Sequence, residues 1–353
     1  SNWKTDSTTS RESKYVIKKL FAFVVLIAVI GAAGAFYVVS QTKQYVNSPI
    51  LIEQPQLFTV ENGTSFHRVM RDLAKDNIIE ASDYTRLMPH LYPELLQVRA
   101  GTYQLEPKLS LYQTLEQLNT GKEHQFAITF VEGSRFSEWV EQLSSAPYVK
   151  HDLTGLSEKE MAEKLGIERE KLEGLFLAET YHYTAGTSES QILERAHTKL
   201  NNILDAHWEG RQEKLPIKDK YEALILASII EKETAIDSER ERVASVFVNR
   251  LNKRMRLQTD PTVIYGMGDA YDGNIRKKDL RTPTPYNTYT INGLPPTPIA
   301  MAGEASIEAA LNPENSKYLY FVASGKGGHV FSKSLAEHNR AVRAYLRELR
   351  KNK

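Results

Sequence analysis

The sequence predicts an α+β protein in which one N-terminal transmembrane helix precedes a small α+β module and a larger mixed α/β domain. Three observations predict this arrangement: an uncharged run near the start, short alternating strand-like and helix-like segments after it, and a second half rich in helical patterns. The expected boundaries are a tail over 1–19, the membrane span over 20–39, a stalk over 40–55, the small module over 56–135 and the larger domain over 136–353.

The composition excludes several classes of protein. The chain has 353 residues, which is typical of about two domains. A formal net charge of +1 leaves no overall basic surface of the kind that binds nucleic acid. The absence of cysteine excludes disulfides, thiolate zinc sites and a cysteine nucleophile. It also fits an oxidising compartment such as a periplasm.

The uncharged run over 20–39 is long enough to cross a bilayer, because about twenty residues at about 1.5 Å each span the roughly 30 Å hydrocarbon core. Basic residues precede this run, and only Lys43 follows it closely. They are Arg11, Lys14, Lys18 and Lys19. The positive-inside rule therefore predicts a cytoplasmic N-terminus, with a polar and disordered stretch over 1–13, and an external location after Ser40. A cleaved signal peptide is the alternative, because the small residues at 33–35 resemble a cleavage site.

The small module is predicted from strand and helix signals that alternate over a short distance. A strand-like segment at 57–60 ends at a turn signal, Asn62-Gly63. Ser65 and Ser110 are each placed to cap a helix, and Gly121 is placed to end the second of these helices. The remaining segments are a helix over 82–91 and strands at 99–105 and 126–131.

The larger domain is predicted to be mainly helical, with a proline-rich interruption over 283–299 that cannot be continuous helix or central strand. A strand at 318–323 and a glycine-rich hairpin with a returning strand at 325–332 follow it. The predicted helices cover 133–143, 153–177, 189–208, 223–233, a segment around 243–251, and a basic closing stretch over 334–353.

One stretch suggests a catalytic acid. The apolar residues 223–230 run directly into Glu231-Lys232-Glu233. A carboxyl group at the end of an apolar helix loses water on one side, and this loss favours its neutral form and raises its pKa. A raised pKa is what keeps a general acid protonated near neutral pH.

Other candidates lie in loops and turns. Tyr286, Asn287 and Tyr289 belong to the proline-rich segment, where hydroxyls, an amide and ring faces on a rigid loop suit a polyhydroxylated ligand. His329, in the glycine-rich hairpin, is either a hydrogen-bonding group for substrate or a satisfied turn residue. Glu179 stands near Tyr181 in a stretch that ends at a turn.

Missing motifs narrow the chemistry further. The sequence has no HExxH metal helix, no GxSxG elbow and no glycine-rich phosphate loop. What remains is a set of carboxylates with tyrosine, asparagine and histidine around them. This set suits acid-assisted cleavage of a glycosidic bond, and it requires no metal or cofactor.

Four motifs in order resemble the YceG-like family over essentially the whole chain after the stalk. They are IEKET at 230–234, RLQTDPTVIYG at 256–266, PYNTY at 285–289 and GLPP at 293–296. Two positions depart from the family pattern: Ala178 stands where proline is usual, and Thr297 stands where glycine is usual. Both lie in loops, so they affect local loop shape rather than the acid.

The resemblance implies a single-pass inner-membrane protein with a LysM-like module and a periplasmic catalytic domain over 136–353. It implies cleavage of nascent peptidoglycan strands to leave 1,6-anhydro-N-acetylmuramic ends, with peptidoglycan synthases (penicillin-binding proteins) as partners. The family motif puts the catalytic acid on Glu231. Gln258, Asp260, Tyr286, Asn287, Tyr289, Glu179 and His329 complete the expected set of residues near the substrate.

Two alternatives stay open at this stage. The first is a muramidase that uses water, with Asp260 or Glu179 as its second carboxylate. The second is a catalytically silent, membrane-tethered scaffold that binds the wall. The transglycosylase differs from the muramidase in needing one carboxylate, because the C6 hydroxyl of the muramic sugar is already tethered to the carbon it attacks.

Overall fold

The computed structural model describes residues 7–351, with side chains over 14–350. The chain divides into two compact units, Ser1–Gln125 and Phe126–Lys353. Helices and strands occur in both units, as the α+β prediction requires. The division falls before the predicted boundary at 135, because the strand that begins at Phe126 pairs within the second unit.

The first helix, α1, covers Ser7–Asn47. Among the described residues, α1 is the one helix that is long and apolar enough to cross a membrane. Its most apolar window has a mean hydropathy of 2.6, and none of that window is buried. Residues 1–6 of the predicted tail lie outside the described residues, and the tail is helical from Ser7 onward. The predicted stalk is wrong as a separate connection, because the helix continues through Asn47 and the first unit's core buries Val46 and Ile50.

The first unit is built on two antiparallel strands that pair Phe58 with Tyr103. Its elements are β1 (Gln56–Val60), α2 (Phe66–Lys75), α3 (Met88–Leu91), β2 (Gly101–Leu105) and α4 (Leu111–Thr120), with 3-10 turns at Asp83–Arg86 and Pro93–Leu96. Both predicted caps are confirmed: Ser65 accepts from the Arg68 N–H, and Ser110 forms a reciprocal capping box with Gln113.

The helix predicted over 82–91 is broken in the structure. A 3-10 turn ends at Arg86, and the short helix α3 begins at Met88. Pro89 explains the break, because its ring nitrogen has no hydrogen to donate and its ring crowds the preceding turn.

The second unit contains two further antiparallel strand pairs and most of the helices. Its elements are β3 (Phe126–Thr129), α5 (Phe136–Ser145), α6 (Glu158–Lys164), β4 (Thr180–Tyr183), α7 (Glu189–Glu209), α8 (Lys220–Glu233), α9 (Asp237–Asn252), α10 (Asp260–Met267), α11 (Lys277–Arg281), α12 (Glu304–Leu311), β5 (Tyr320–Ala323), β6 (His329–Ser332) and α13 (Leu335–Lys351). Strand β3 pairs with β4, and β5 pairs with β6.

Helix α8 lies at the centre of this unit, where every residue from 223 to 230 is buried. It packs against α9 and α12, and the surrounding core includes side chains from most of the other elements. The long helix predicted over 153–177 is wrong. Only α6 forms there, because Gly166 has a φ of +67° and ends it in a left-handed turn.

Candidate active site

A cavity of about 390 Å³ opens in the second unit beside the end of α8. Its wall combines the last residue of α8, the inward face of α9, the loop before α10, and the start of α13. The polar side chains that line it are Glu233, Arg250, Gln258, Thr259, Asp260, Tyr289, Tyr320 and His338. Carboxyl, amide, hydroxyl and guanidinium groups therefore converge on one space, as they do in ligand sites.

Glu233 is the final residue of α8, and its carboxyl group faces this cavity. Burial raises the pKa of Glu233, and the neighbouring Asp260 raises it further. The Thr259 hydroxyl, which donates to the carboxyl group, and the nearby His329 act in the opposite direction. The C-terminal end of a helix carries partial negative charge, which also disfavours the ionised form. Glu233 therefore has the environment that the sequence predicted for the acid at this helix end.

Glu231 has a different environment, although it is only two residues away. Two residues correspond to about 200° around a helix, so the two side chains leave α8 on different sides. Glu231 Oε2 accepts a hydrogen bond from the Gly303 N–H at 3.0 Å and another from the Ser306 hydroxyl at 2.7 Å. Gly303 immediately precedes α12 and Ser306 lies in its first turn, so the Glu231 carboxylate holds the start of that helix in place. Among the described residues that line the cavity, Glu231 is absent.

Three of the other predicted residues lie at the same cavity as Glu233. Gln258 adopts a φ of +55° and places its side-chain oxygen 3.2 Å from a guanidinium nitrogen of Arg250. Asp260 begins α10 and accepts a hydrogen bond of 2.6 Å from the Tyr289 hydroxyl. The structure thus brings Gln258, Asp260 and Tyr289 to one wall.

Asn287 does not line the cavity, and its predicted contact with substrate is replaced by a structural one. It is 1% exposed. Its amide nitrogen donates to the backbone oxygens of Asp279, Leu280 and Thr282, and its side-chain oxygen accepts from the Tyr289 N–H at 2.9 Å. Asn287 therefore holds the loop that carries Tyr289.

Tyr286 faces a second cavity rather than the first. Its hydroxyl is 2.9 Å from the Thr297 hydroxyl, and its ring centre lies 4.9 Å from that of Tyr265.

Glu179 and His329 both lie outside the lining of the first cavity. Glu179 is exposed and forms an ion pair of 2.6 Å with Lys199. His329 Nδ1 lies 2.7 Å from a carboxylate oxygen of Glu239, and the ring is close enough to Glu233 to influence its pKa. His329 is thus beside the site, whereas Glu179 is engaged elsewhere.

Comparisons with known proteins identify the family of this chain. The profile of the YceG-like family matches residues 58–344. The chain belongs to the YceG-like family.

Relatives with assigned names point in the same direction. An endolytic murein transglycosylase of Bacillus subtilis (strain 168) is 31% identical over an alignment of 311 positions, and the match covers 81% of this YceG-like chain and 84% of that protein. One of Streptococcus pneumoniae serotype 2 is 26% identical, and the match covers 93% of this chain and 65% of that protein. The crystal structure of a yceG-like protein from Listeria monocytogenes, 31% identical, matches with a TM-score of 0.51 over 82% of this chain and 99% of that one.

Arg250 is a residue of this YceG-like site that the sequence reasoning missed. Its guanidinium donates to the backbone oxygens of Leu319, Arg256 and Leu257 as well as to Gln258, so it fixes the cavity wall. A signal was available: Arg250 follows Val243 by seven residues, on the apolar face of α9. A charged residue at an inward helical position indicates a buried polar network.

Proposed function

We propose that this chain is an endolytic lytic transglycosylase of peptidoglycan. It would cleave the β-1,4 bond between N-acetylmuramic acid and N-acetylglucosamine and leave 1,6-anhydro-N-acetylmuramic ends. The observation that carries the proposal is the carboxyl group of Glu233, whose raised pKa and position in a polar cavity suit a general acid. The names of the relatives from Bacillus subtilis and Streptococcus pneumoniae support the substrate and the reaction.

The resemblance puts the acid on Glu231, whereas the geometry favours Glu233. Glu231 accepts two hydrogen bonds from residues at the start of α12 and does not line the cavity. Glu233 is buried beside the Asp260 carboxylate, and both the burial and the carboxylate raise its pKa, against the opposing effect of the Thr259 hydroxyl that donates to it. A proton donor must be protonated at working pH, so we assign the acid to Glu233 and the role of holding the start of α12 to Glu231.

The proposed reaction needs one carboxyl group used twice. Protonated Glu233 gives its proton to the glycosidic oxygen, and the bond from this oxygen to C1 of the muramic sugar breaks. The C6 hydroxyl of the same sugar then attacks C1, and the Glu233 carboxylate takes the hydroxyl proton. No water is added, and the enzyme regains its proton. Intramolecular attack of this kind can supply roughly 7–11 kcal/mol of the barrier reduction when the groups are well oriented.

A water-using muramidase is the second candidate, because Asp260 lines the same cavity and raises the pKa of Glu233. In that reaction Asp260 would activate water or form a covalent intermediate. Glu179 is not a suitable second carboxylate, since it is exposed and paired with Lys199 outside the cavity lining.

Location and partners extend the proposal. Helix α1 would anchor the protein in the inner membrane with a cytoplasmic N-terminus, and the second unit would work in the periplasm on nascent strands beside peptidoglycan synthases. The antiparallel pair β1–β2, with helices between and after its strands, supports a LysM-like first unit.

Mass analysis of the products tests the reaction. Purified full-length protein would be incubated with peptidoglycan strands, and the new ends would be weighed. Anhydro ends, which lack one water relative to hydrolysed ends, are expected from the wild type. Hydrolysed ends would favour the muramidase. Products from Glu233→Gln in the same yield as from wild type would remove Glu233 from the mechanism.

A further inference from the structure

The second unit contains another cavity, of about 510 Å³, which the proposed reaction does not use. Its polar side chains are Arg135, Ser137, Glu158, Lys171, Glu173, Tyr265 and Tyr286. Phe136, Val140 and Met161 supply an apolar part of the wall. The wall of this cavity therefore combines charged groups with apolar side chains.

The same two elements line both cavities. Helix α10 presents Asp260 to the first cavity and Tyr265 to the second, and the loop after α11 presents Tyr289 to the first and Tyr286 to the second. A Cβ at Gly266 would lie 3.1 Å from the Tyr286 Cβ, so this helix and this loop are in close contact. The helix has eight residues and is about 12 Å long. A polymer bound at Glu233 thus needs to extend only along α10 to reach the second cavity.

The charges in the second cavity are paired except for one. Lys171 lies 2.9 Å from a Glu158 oxygen. Glu173 accepts from the Phe136 N–H at 2.9 Å and from the Tyr265 hydroxyl at 3.1 Å, and burial raises its pKa to about 7.

Arg135 is the remaining cationic side chain of the second cavity. Its guanidinium lies over the Tyr265 ring, 5.3 Å from the ring centre. Among the described residues it has no carboxylate within 4.0 Å, although Glu173 is near enough for Arg135 to lower its pKa. An unpaired guanidinium over an aromatic ring is suited to hold an anion, especially a carboxylate that it can bind through two hydrogen bonds.

We propose that the second cavity is an accessory subsite for the carboxylate-bearing peptide branch of the glycan strand whose sugars occupy the first cavity. This inference rests on the proposed function. A short peptide with small apolar side chains and a free carboxylate matches an apolar wall with one available cation. A strand without peptides would match it less well, because its anion is the lactyl carboxylate of N-acetylmuramic acid, which stays with the sugar in the first cavity. Its many hydroxyls would also be desolvated by Phe136, Val140 and Met161.

The inference is tested by substituting Arg135 and comparing the activity on two substrates. Full-length wild type and Arg135→Ala would be assayed on strands that carry their peptides and on the same strands after an amidase has removed them. Arg135→Ala is expected to raise KM about tenfold on the peptide-bearing strands, as expected for loss of a charged hydrogen bond, and to leave both KM and kcat unchanged on the bare strands. Arg135→Lys should recover part of the loss, because it keeps the charge without the two-pronged geometry.

Arg211→Ala is the matched control, because Arg211 also lies over an aromatic ring, 4.1 Å from the ring centre of Trp208, and lines neither cavity. It should behave as wild type on both substrates. Equal effects of Arg135→Ala on both substrates, or no effect on either, would overturn the inference.

A binding measurement separates this inference from the proposed reaction. The affinity of a disaccharide–tetrapeptide and of the same disaccharide without peptide would be measured for the full-length wild type and Arg135→Ala by calorimetry. Arg135→Ala should weaken only the peptide-bearing ligand, by about tenfold. A wild type that cleaves nothing yet shows this difference would refute the reaction and keep the subsite. Equal affinities of both proteins for the peptide-bearing ligand would refute the subsite.

Discussion

The last turn of α8 presents two glutamates to two different regions, and the comparison shows how surroundings decide the use of a carboxyl group. On one side Glu231 meets the first turn of α12, where an N–H and a hydroxyl donate to it. On the other side Glu233 meets a cavity, a second carboxylate and one hydroxyl donor. The residue type and the helix are the same. A carboxylate lies near each glutamate, Glu132 near Glu231 and Asp260 near Glu233. What differs is that two donors at the start of α12 hold Glu231, whereas Glu233 is buried at a cavity and its pKa is raised.

The strongest way to break this comparison is to remove the two acids separately. Glu233→Gln should lower kcat by about 10²–10⁴-fold, because general acid catalysis typically contributes that much. Its melting temperature should not fall, since a neutral amide is easier to bury than a carboxyl group whose ionisation is disfavoured.

Glu231→Gln is the matched control, because it makes the same chemical change on the other side of the helix. It should retain most of the activity. Activity assays and thermal unfolding of both variants in parallel decide the assignment. The reverse pattern, an inactive Glu231→Gln and an active Glu233→Gln, would return the acid to Glu231.

A second prediction separates residues that line the cavity from residues that hold the loops of its wall in place. Asn287→Ala should leave three backbone oxygens without their donor and free the loop that carries Tyr289. We expect a loss of about 2–3 kcal/mol of stability and a rise in KM of several fold, because each unsatisfied buried group costs about 1–3 kcal/mol and water can recover part of it.

Thermal unfolding and steady-state kinetics measure the two effects of Asn287→Ala. The exposed Asn252→Ala should change neither quantity. A raised KM without any loss of stability would mean that Asn287 contacts the substrate directly.

The pH dependence of kcat/KM tests whether Glu233 is the acid. If protonated Glu233 is the acid, kcat/KM should fall as pH rises through its raised pKa. Asp260→Asn should move this limb to lower pH, because the Asp260 charge is one of the causes that raise the pKa. The amide can still accept from the Tyr289 hydroxyl, so the geometry should be kept.

Replacing His329 by Gln should move the same limb to higher pH, since His329 lowers the pKa of Glu233. The two variants therefore predict opposite shifts in pH–rate profiles. Asp269→Asn, an exposed change after α10, is the control and should not move the limb. A profile that stays fixed in both variants would show that the limb belongs to another group.

The sequence was informative where local chemistry decides the structure and less so where distant packing does. Ser65 and Ser110 were predicted as caps because a cap depends on a few neighbouring residues. The motif around 230–234 located the acidic end of α8 and put the acid on Glu231, whereas Glu233 is the acid that lines the cavity. Residues 223–230 are buried on all sides of the helix, so their pattern has no single apolar face to orient the acids.

Two other predictions depend on distant contacts in the same way. The side on which Glu231 lies depends on α12, which comes some seventy residues later. Asn287 looked like a ligand-binding group because it sits between tyrosines in a loop, and only the folded loop shows three backbone oxygens around its amide. Polar residues in loops bind ligands and hold loops with the same atoms, so residue type alone does not separate the two roles.

The smallest expected effect concerns the Glu231 side of the comparison. Glu231→Ala should destabilise the second unit by about 1 kcal/mol, because loss of a contact that holds a helix start typically costs about that much, and should lower its melting temperature by about 2–4 °C.

Ser306→Ala removes one of the two donors to the same carboxylate, and Ser306 is fully buried. If this contact is real, the double variant should lose less than the sum of the two single losses, since both remove the same hydrogen bond. Glu308→Ala, an exposed change on α12, supplies the baseline. Additive losses would mean that Glu231 and Ser306 act independently, and the contrast between the two sides of α8 would then rest on Glu233 alone.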